Sequence, residues 1–158
     1  MKRFVIAMLF AITLVAGAGP SWAQEHSHTA ELEITRADIQ ADRKALVAAN
    51  VTLSEEQAAA FWPLYREYRV EMDKVGDGVI GLITNYADNY NTLDDEQAAD
   101  LVKQFLNLQK KAGEVRKKYV SRFSKIVPGK TLMRFYQIEN KLDTIVMAAV
   151  AEEIPLAK

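Results

Sequence analysis

Apolar residues recur along most of this chain at helical spacing. From Phe61 they fall at Tyr65, Tyr68, Met72, Val75, Val79, Leu82 and Tyr86, in alternating steps of four and three. That is an unbroken heptad stripe, the mark of one long helix with one buried side. A second stripe runs Leu101, Phe105, Leu108, Ala112, Val115 and Tyr119, and Phe123 and Ile126 follow after a stutter. Between them, Thr84 to Asn91 is rich in turn formers and reads as the end of the first stripe's helix. Two such stripes joined by a short polar turn predict an antiparallel helical hairpin. Upstream, Glu31 to Ala49 reads as a helix with a thin stripe at Leu32, Ile39, Leu46 and Val47, stopped at Asn50. Downstream, Val127-Pro128-Gly129 breaks the chain, and Pro128 suits the first turn of another helix. Leu132, Phe135, Ile138, Leu142, Ile145, Val146 and Ala149 give that helix a buried side, and Pro155 closes it. No strand-like alternation of any length occurs. The predicted fold is all-α, with four helices. A long kinked antiparallel hairpin of helices 2 and 3 is flanked by helices 1 and 4, in a single domain over residues 31–154.

Two features bear on the second helix. Pro63 lies inside it and lacks the N–H that would bond to Ala59, which predicts a kink. Gly76, Gly78 and Gly81 each cost about 1 kcal/mol relative to Ala in a helix interior. They read first as a place of close helix contact and second as a hinge.

The hairpin helices share a start signal. Leu53-Ser54-Glu55-Glu56-Gln57 returns forty positions later as Leu93-Asp94-Asp95-Glu96-Gln97, each copy followed by two alanines. Ser54 and Asp94 can accept a hydrogen bond from an otherwise unpaired N–H of the first turn. Gln57 and Gln97 can reach back to the capping residue's own N–H, completing a capping box. The acids between them face the positive end of the helix dipole.

Residues 1–23 read as a signal peptide. Lys2 and Arg3 precede an apolar run from Phe4 to Ala16, then Gly19-Pro20 and the small-x-small site Ser21-Trp22-Ala23. The run is shorter than the roughly 20 residues of a spanning helix. Cleavage after Ala23, export to the periplasm and no stable membrane insertion are the expectation, with residues 24–30 a polar tail. The chain has no Cys, which excludes disulfides, thiolate metal sites and thiol redox chemistry.

Charge is unevenly spread. Residues 25–100 hold 16 acids and 6 bases, and residues 103–134 hold 10 bases against one acid, Glu114. Such a split implies electrostatic pairing within the molecule or with a partner.

The repeated Leu-Ser/Asp-x-x-Gln pentad is similar to the LTxxQ motif of the Spy/CpxP group of bacterial periplasmic proteins. A signal peptide, helical content, size and absence of Cys fit that group as well. The resemblance covers most of residues 31–150, and its sharp part is the two pentads: Leu53, Ser54, Gln57 and Leu93, Asp94, Gln97. Ser54 and Asp94 stand where the motif has Thr. The stretches Phe61 to Tyr68 and Pro128 to Leu142 point to a branch of the group distinct from Spy. The resemblance implies bent helical hairpins that pair as a homodimeric cradle, a place in envelope stress, and either chaperone activity on unfolding envelope proteins or regulation of a sensor protein.

Candidate binding residues follow. Phe61, Trp62, Tyr65 and Tyr68 form a dense aromatic set. Phe61, Tyr65 and Tyr68 follow the heptad and read as core, whereas Trp62 lies off the stripe and is the better surface candidate. Lys110, Lys111, Arg116, Lys117, Lys118 and Arg122 could grip an acidic client or sensor, or could pair with the acidic second helix. Export argues against nucleic acid as a partner. After cleavage, Gln24-Glu25-His26 presents an amine, backbone amides and an imidazole that could wrap Cu(II) or Ni(II), with His28 adding a ligand. A solvated polar tail is the plainer reading of His26 and His28, and no cofactor is otherwise expected. No nucleophile–base set, phosphate loop or Glu-x-x-His pair is present, so an enzyme is not expected.

Overall fold

The computed structural model describes residues 42–157. Helix α1 is seen over residues 42–50 and ends at Asn50, whose side-chain amide donates to the Leu46 carbonyl. Helix α2 spans Glu55–Asn89, α3 Asp95–Phe123 and α4 Gly129–Glu153. No strand occurs among the described residues. The stretches read above as signal peptide, polar tail and the beginning of helix 1 lie outside the described residues.

Both pentads are the helix starts their chemistry predicts. Gln57 N–H donates to Ser54 Oγ at 3.2 Å, and Ser54 N–H donates to Gln57 Oε1 at 3.0 Å. The second copy repeats this, with Gln97 N–H to Asp94 Oδ1 at 2.8 Å and Asp94 N–H to Gln97 Oε1 at 3.1 Å. Each box satisfies two backbone donors that a helix start leaves open. Pro128 precedes the first helical residue of α4, and its carbonyl accepts from Leu132 N–H at 2.9 Å.

The α2–α3 hairpin is the main contact of the fold. Its stripes meet where the spacing placed them. Phe61, Tyr65, Tyr68, Tyr119 and Phe123 are buried, and Phe135 of α4 joins them. Phe61 and Phe123 rings lie 4.9 Å apart, as do Phe123 and Phe135, and Phe61 meets Phe135 edge-on at 5.2 Å. Aromatic pairs at such spacings contribute beyond the area they bury. Leu64, off the heptad, is buried too.

This core fills one half of the molecule. In α2 the buried residues run from Phe61 to Val75, and none follows; in α3 they begin at Ala112. The other half is held more loosely. There the chain after α4 lies against the end of α2, with Tyr86 and Tyr90 hydroxyls donating to the Pro155 and Leu156 carbonyls at 2.9 Å each.

Two expectations change. Thr84 to Asn89 does not leave the helix, which continues to Asn89. Asn89 donates back to the Asn85 carbonyl and side chain, so the amides bond along the helix instead of ending it. Pro63 does lie inside α2, on its exposed side. The spacing assigns both Ile145 and Val146 to the buried side of α4, but Ile145 is 56% exposed, whereas Val146, a step of four from Leu142, is half-buried.

Gly78 marks close helix contact, because a Cβ there would sit 2.7 Å from Leu108 Cδ2, whereas Gly81 has nothing within 4 Å. Gly81→Ala is therefore expected to stabilise the fold by up to about 1 kcal/mol through helix propensity alone. Gly78→Ala should gain clearly less, since Leu108 must move. Thermal unfolding followed by circular dichroism checks the ranking.

Candidate functional site

The most unusual feature of the interior is a carboxylate. Glu139 is 1% exposed and Arg43 3%. Arg43 Nη1 and Arg69 Nη1 both reach Glu139 Oε2, at 3.0 and 2.9 Å, and the Tyr65 hydroxyl donates to Oε1 at 3.1 Å. One side chain of α4 is thereby bound to α1 and to α2 twice. One turn on, Asp143 takes Arg43 Nη2 through Oδ1 and Arg116 Nη2 through Oδ2, each at 2.9 Å. Arg69 Nη2 also holds Asp73 at 2.8 Å. Three guanidiniums and three carboxylates from four helices thus form one network.

Helical spacing builds it. Tyr65, Arg69 and Asp73 are four apart and share a side of α2, as Glu139 and Asp143 do on α4. Burial drives the Tyr65 hydroxyl far above the usual tyrosine range, and Glu139 adds to this. Burial likewise raises Tyr68 and Tyr136, with Glu139 again contributing. For Arg69, burial opposes the charge, but Glu139 and Asp73 outweigh it and the guanidinium is held more firmly protonated. The Tyr68 hydroxyl and Arg43 Nε are buried without a hydrogen bond of ordinary geometry.

Beside the network lies an apolar pocket of about 400 Å³ between α2, α3 and α4. Val75, Val79, Ile80, Ile83, Leu108 and Val150 line it, and Arg43, Arg69, Arg116, Asp73 and Asp143 form its polar end. Pockets of this size and make-up, between the helices of a bundle, are typical of ligand sites.

The structure separates the sequence-predicted candidates. Phe61 and Tyr65 are core residues. Trp62 is half-buried, edge-on to Phe61 at 5.2 Å and Tyr65 at 5.7 Å, with the Lys44 ammonium 5.6 Å from its ring. The basic run divides in two. Arg116 binds Asp143, Lys118 binds Glu71 at 2.6 Å and Arg122 binds Glu67 at 2.7 Å. Those three pair within the molecule. The Lys118 and Tyr119 hydrogen bonds hold the Glu71 carboxyl below its usual range, and burial followed by Glu71 pushes Tyr119 up to about 12. Lys110, Lys111 and Lys117 are exposed; Lys110 has only a 3.9 Å approach to Glu114, and Lys111 and Lys117 have no ion pair among the described residues. The six pentad residues serve helix starts or lie beside them. His26 and His28 lie outside the described residues, and no cluster of three metal-binding side chains occurs within them. No described helix is long and apolar enough to cross a membrane.

The pocket and the Glu139 network were missed from the sequence. Glu139 occupies a core slot, since Phe135, Glu139, Leu142 and Val146 step four, three, four; a charged residue there was the available signal. Comparison with family models, curated proteins and solved structures finds no match for this chain.

Removing one partner of a buried ion pair strands the others without compensation. Glu139→Ala is expected to destabilise the fold by about 3 kcal/mol or more in urea unfolding. Glu114→Gln, at the exposed pair with Lys110, should leave the midpoint nearly unchanged.

A second expectation concerns alkaline pH. A tyrosine whose folded pKa is raised contributes stability that is complete below the ordinary value of about 10 and lost as pH climbs through the folded value. Tyr65, Tyr68, Tyr119 and Tyr136 are therefore expected to ionise together with loss of helix rather than before it. Phenolate absorbance and helical ellipticity recorded on one alkaline titration decide this.

Proposed function

We propose that the protein is a non-enzymatic periplasmic binding protein of the Spy/CpxP type, acting as an ATP-independent holdase for unfolding envelope proteins. The observation that carries the reading is one strip of α3. Val102, Leu106, Lys110, Gly113, Lys117 and Val120 step four, four, three, four, three along the side of α3 turned away from its buried stripe. Val102 and Leu106 are 59% and 56% exposed. A Cβ at Gly113 would meet nothing within 4 Å.

Apolar side chains interleaved with cations suit unfolding chains physically. The cations speed capture of acidic segments, and the apolar groups hold whatever hydrophobic residues follow. A surface of this kind needs no shape match to one partner and no nucleotide. The paired capping boxes, the only sharp part of the resemblance, set where α2 and α3 begin and so the phase in which the strip faces outward.

The test is light scattering of a heat-destabilised client, repeated on a second, unrelated client. Residues 24–158 are expected to suppress aggregation near stoichiometric ratio and to lose strength with added salt. Lys110→Glu with Lys117→Glu should weaken suppression several-fold, and Val102→Ser with Leu106→Ser should do so with less salt dependence. Failure of the unaltered protein on both clients would reject the holdase reading.

A further inference from the structure

The pocket between α2, α3 and α4 has a polarity gradient that the outer strip of α3 does not share. Its charged end is set by Arg43, Arg69, Arg116, Asp73 and Asp143, and the remainder is apolar apart from Thr84 and Gln109. Along α2 the lining runs from Arg69 to Ile83, about 21 Å at the rise of an α-helix. A slot of that length, charged at one end only, has the shape of a long-chain amphiphile.

Hydrogen-bonding capacity at the polar end decides the sign of the head group. The carboxylates are spoken for. Glu139 accepts from Arg43, Arg69 and Tyr65, and Asp143 gives one oxygen to Arg43 and the other to Arg116. The guanidiniums are not, since each offers five donors. Arg43 is 3% exposed, lines the pocket, and leaves Nε without a partner. Arg116 has 40% of its side chain exposed at the pocket and makes one ion pair, to Asp143. A surplus of donors over acceptors calls for an acceptor, and a guanidinium meets a carboxylate in a matched two-point geometry. A cationic head would have to share every carboxylate with a guanidinium, since Asp73 too is paired, with Arg69 at 2.8 Å.

We infer that this pocket binds a single-chain amphiphile with a carboxylate head, a fatty acid, its chain lying along Val75, Val79, Ile80 and Ile83 and its head at Arg116. The inference is independent of the holdase reading, which uses the opposite side of α3.

Isothermal titration with dodecanoate below its micellar concentration, using residues 24–158, tests it, with dodecyltrimethylammonium as the matched cation. Saturable one-to-one binding of dodecanoate, at least tenfold tighter than the cation, is expected. Arg116→Gln should weaken it about tenfold, and Val79→Trp, which fills the slot, should abolish it; circular dichroism confirms that each variant is folded. Methyl NMR gives a second readout that does not depend on the variants: Val79, Ile80 and Ile83 signals should shift on titration while Val102 and Leu106 do not. Absence of saturable binding, equal binding of the two heads, or shifts confined to Val102 and Leu106 would each overturn the assignment.

Discussion

A single buried carboxylate ties the helices together. Glu139 draws Arg43 from α1 and Arg69 and Tyr65 from α2 onto α4. Taking charges out of water is expensive, and such a site persists only when its partners are complete. Every carboxylate of the network has its guanidinium, and the pairing reaches outward through Asp143 to Arg116, so α3 is bound as well. What apolar packing leaves free to slide, this network fixes in register.

That constraint divides the molecule. On one side of the network the aromatic rings of α2, α3 and α4 interlock around Phe61, Phe123 and Phe135. On the other, α2 and α3 continue for several turns with no residue of either fully buried. Stability comes from the first half. The second half keeps apolar surface accessible, in the pocket and on the outside of α3. The proposed binding role would use such a division, because surface that binds others cannot also be buried in the protein's own core. The ion pairs of Lys118 and Arg122 with Glu71 and Glu67 fall on the packed side, while Lys110 and Lys117 stand in the strip.

Much of this was legible in the residues. Heptad spacing placed both long helices and the hairpin, because one buried side at a period near 3.6 leaves few alternatives. The two pentads gave the helix starts to the residue, since cap chemistry is local. The reading failed where tertiary contacts decide. Thr84 to Asn91 read as the end of the helix, and the helix does end there but only at Asn89, since side-chain amides bond along it. The basic run offered two readings of equal standing, and the structure divides it, since a charge count cannot say which cations face α2. The network and pocket were not legible, because a charge in a core slot does not name its partner, and Arg43 and Glu139 lie 96 positions apart in the chain.

The account's central claim is that the half packed around Glu139 carries the stability and the other half is held only loosely. Native-state hydrogen exchange, resolved by residue, tests this directly. The slowest amides should lie in residues 64–75, 115–123 and 135–142, opening only with global unfolding, while residues 79–89 and 97–108 should exchange through smaller openings at lower free energy. Uniform protection along α2 and α3, or greater protection in residues 79–89 than in 64–75, would contradict it.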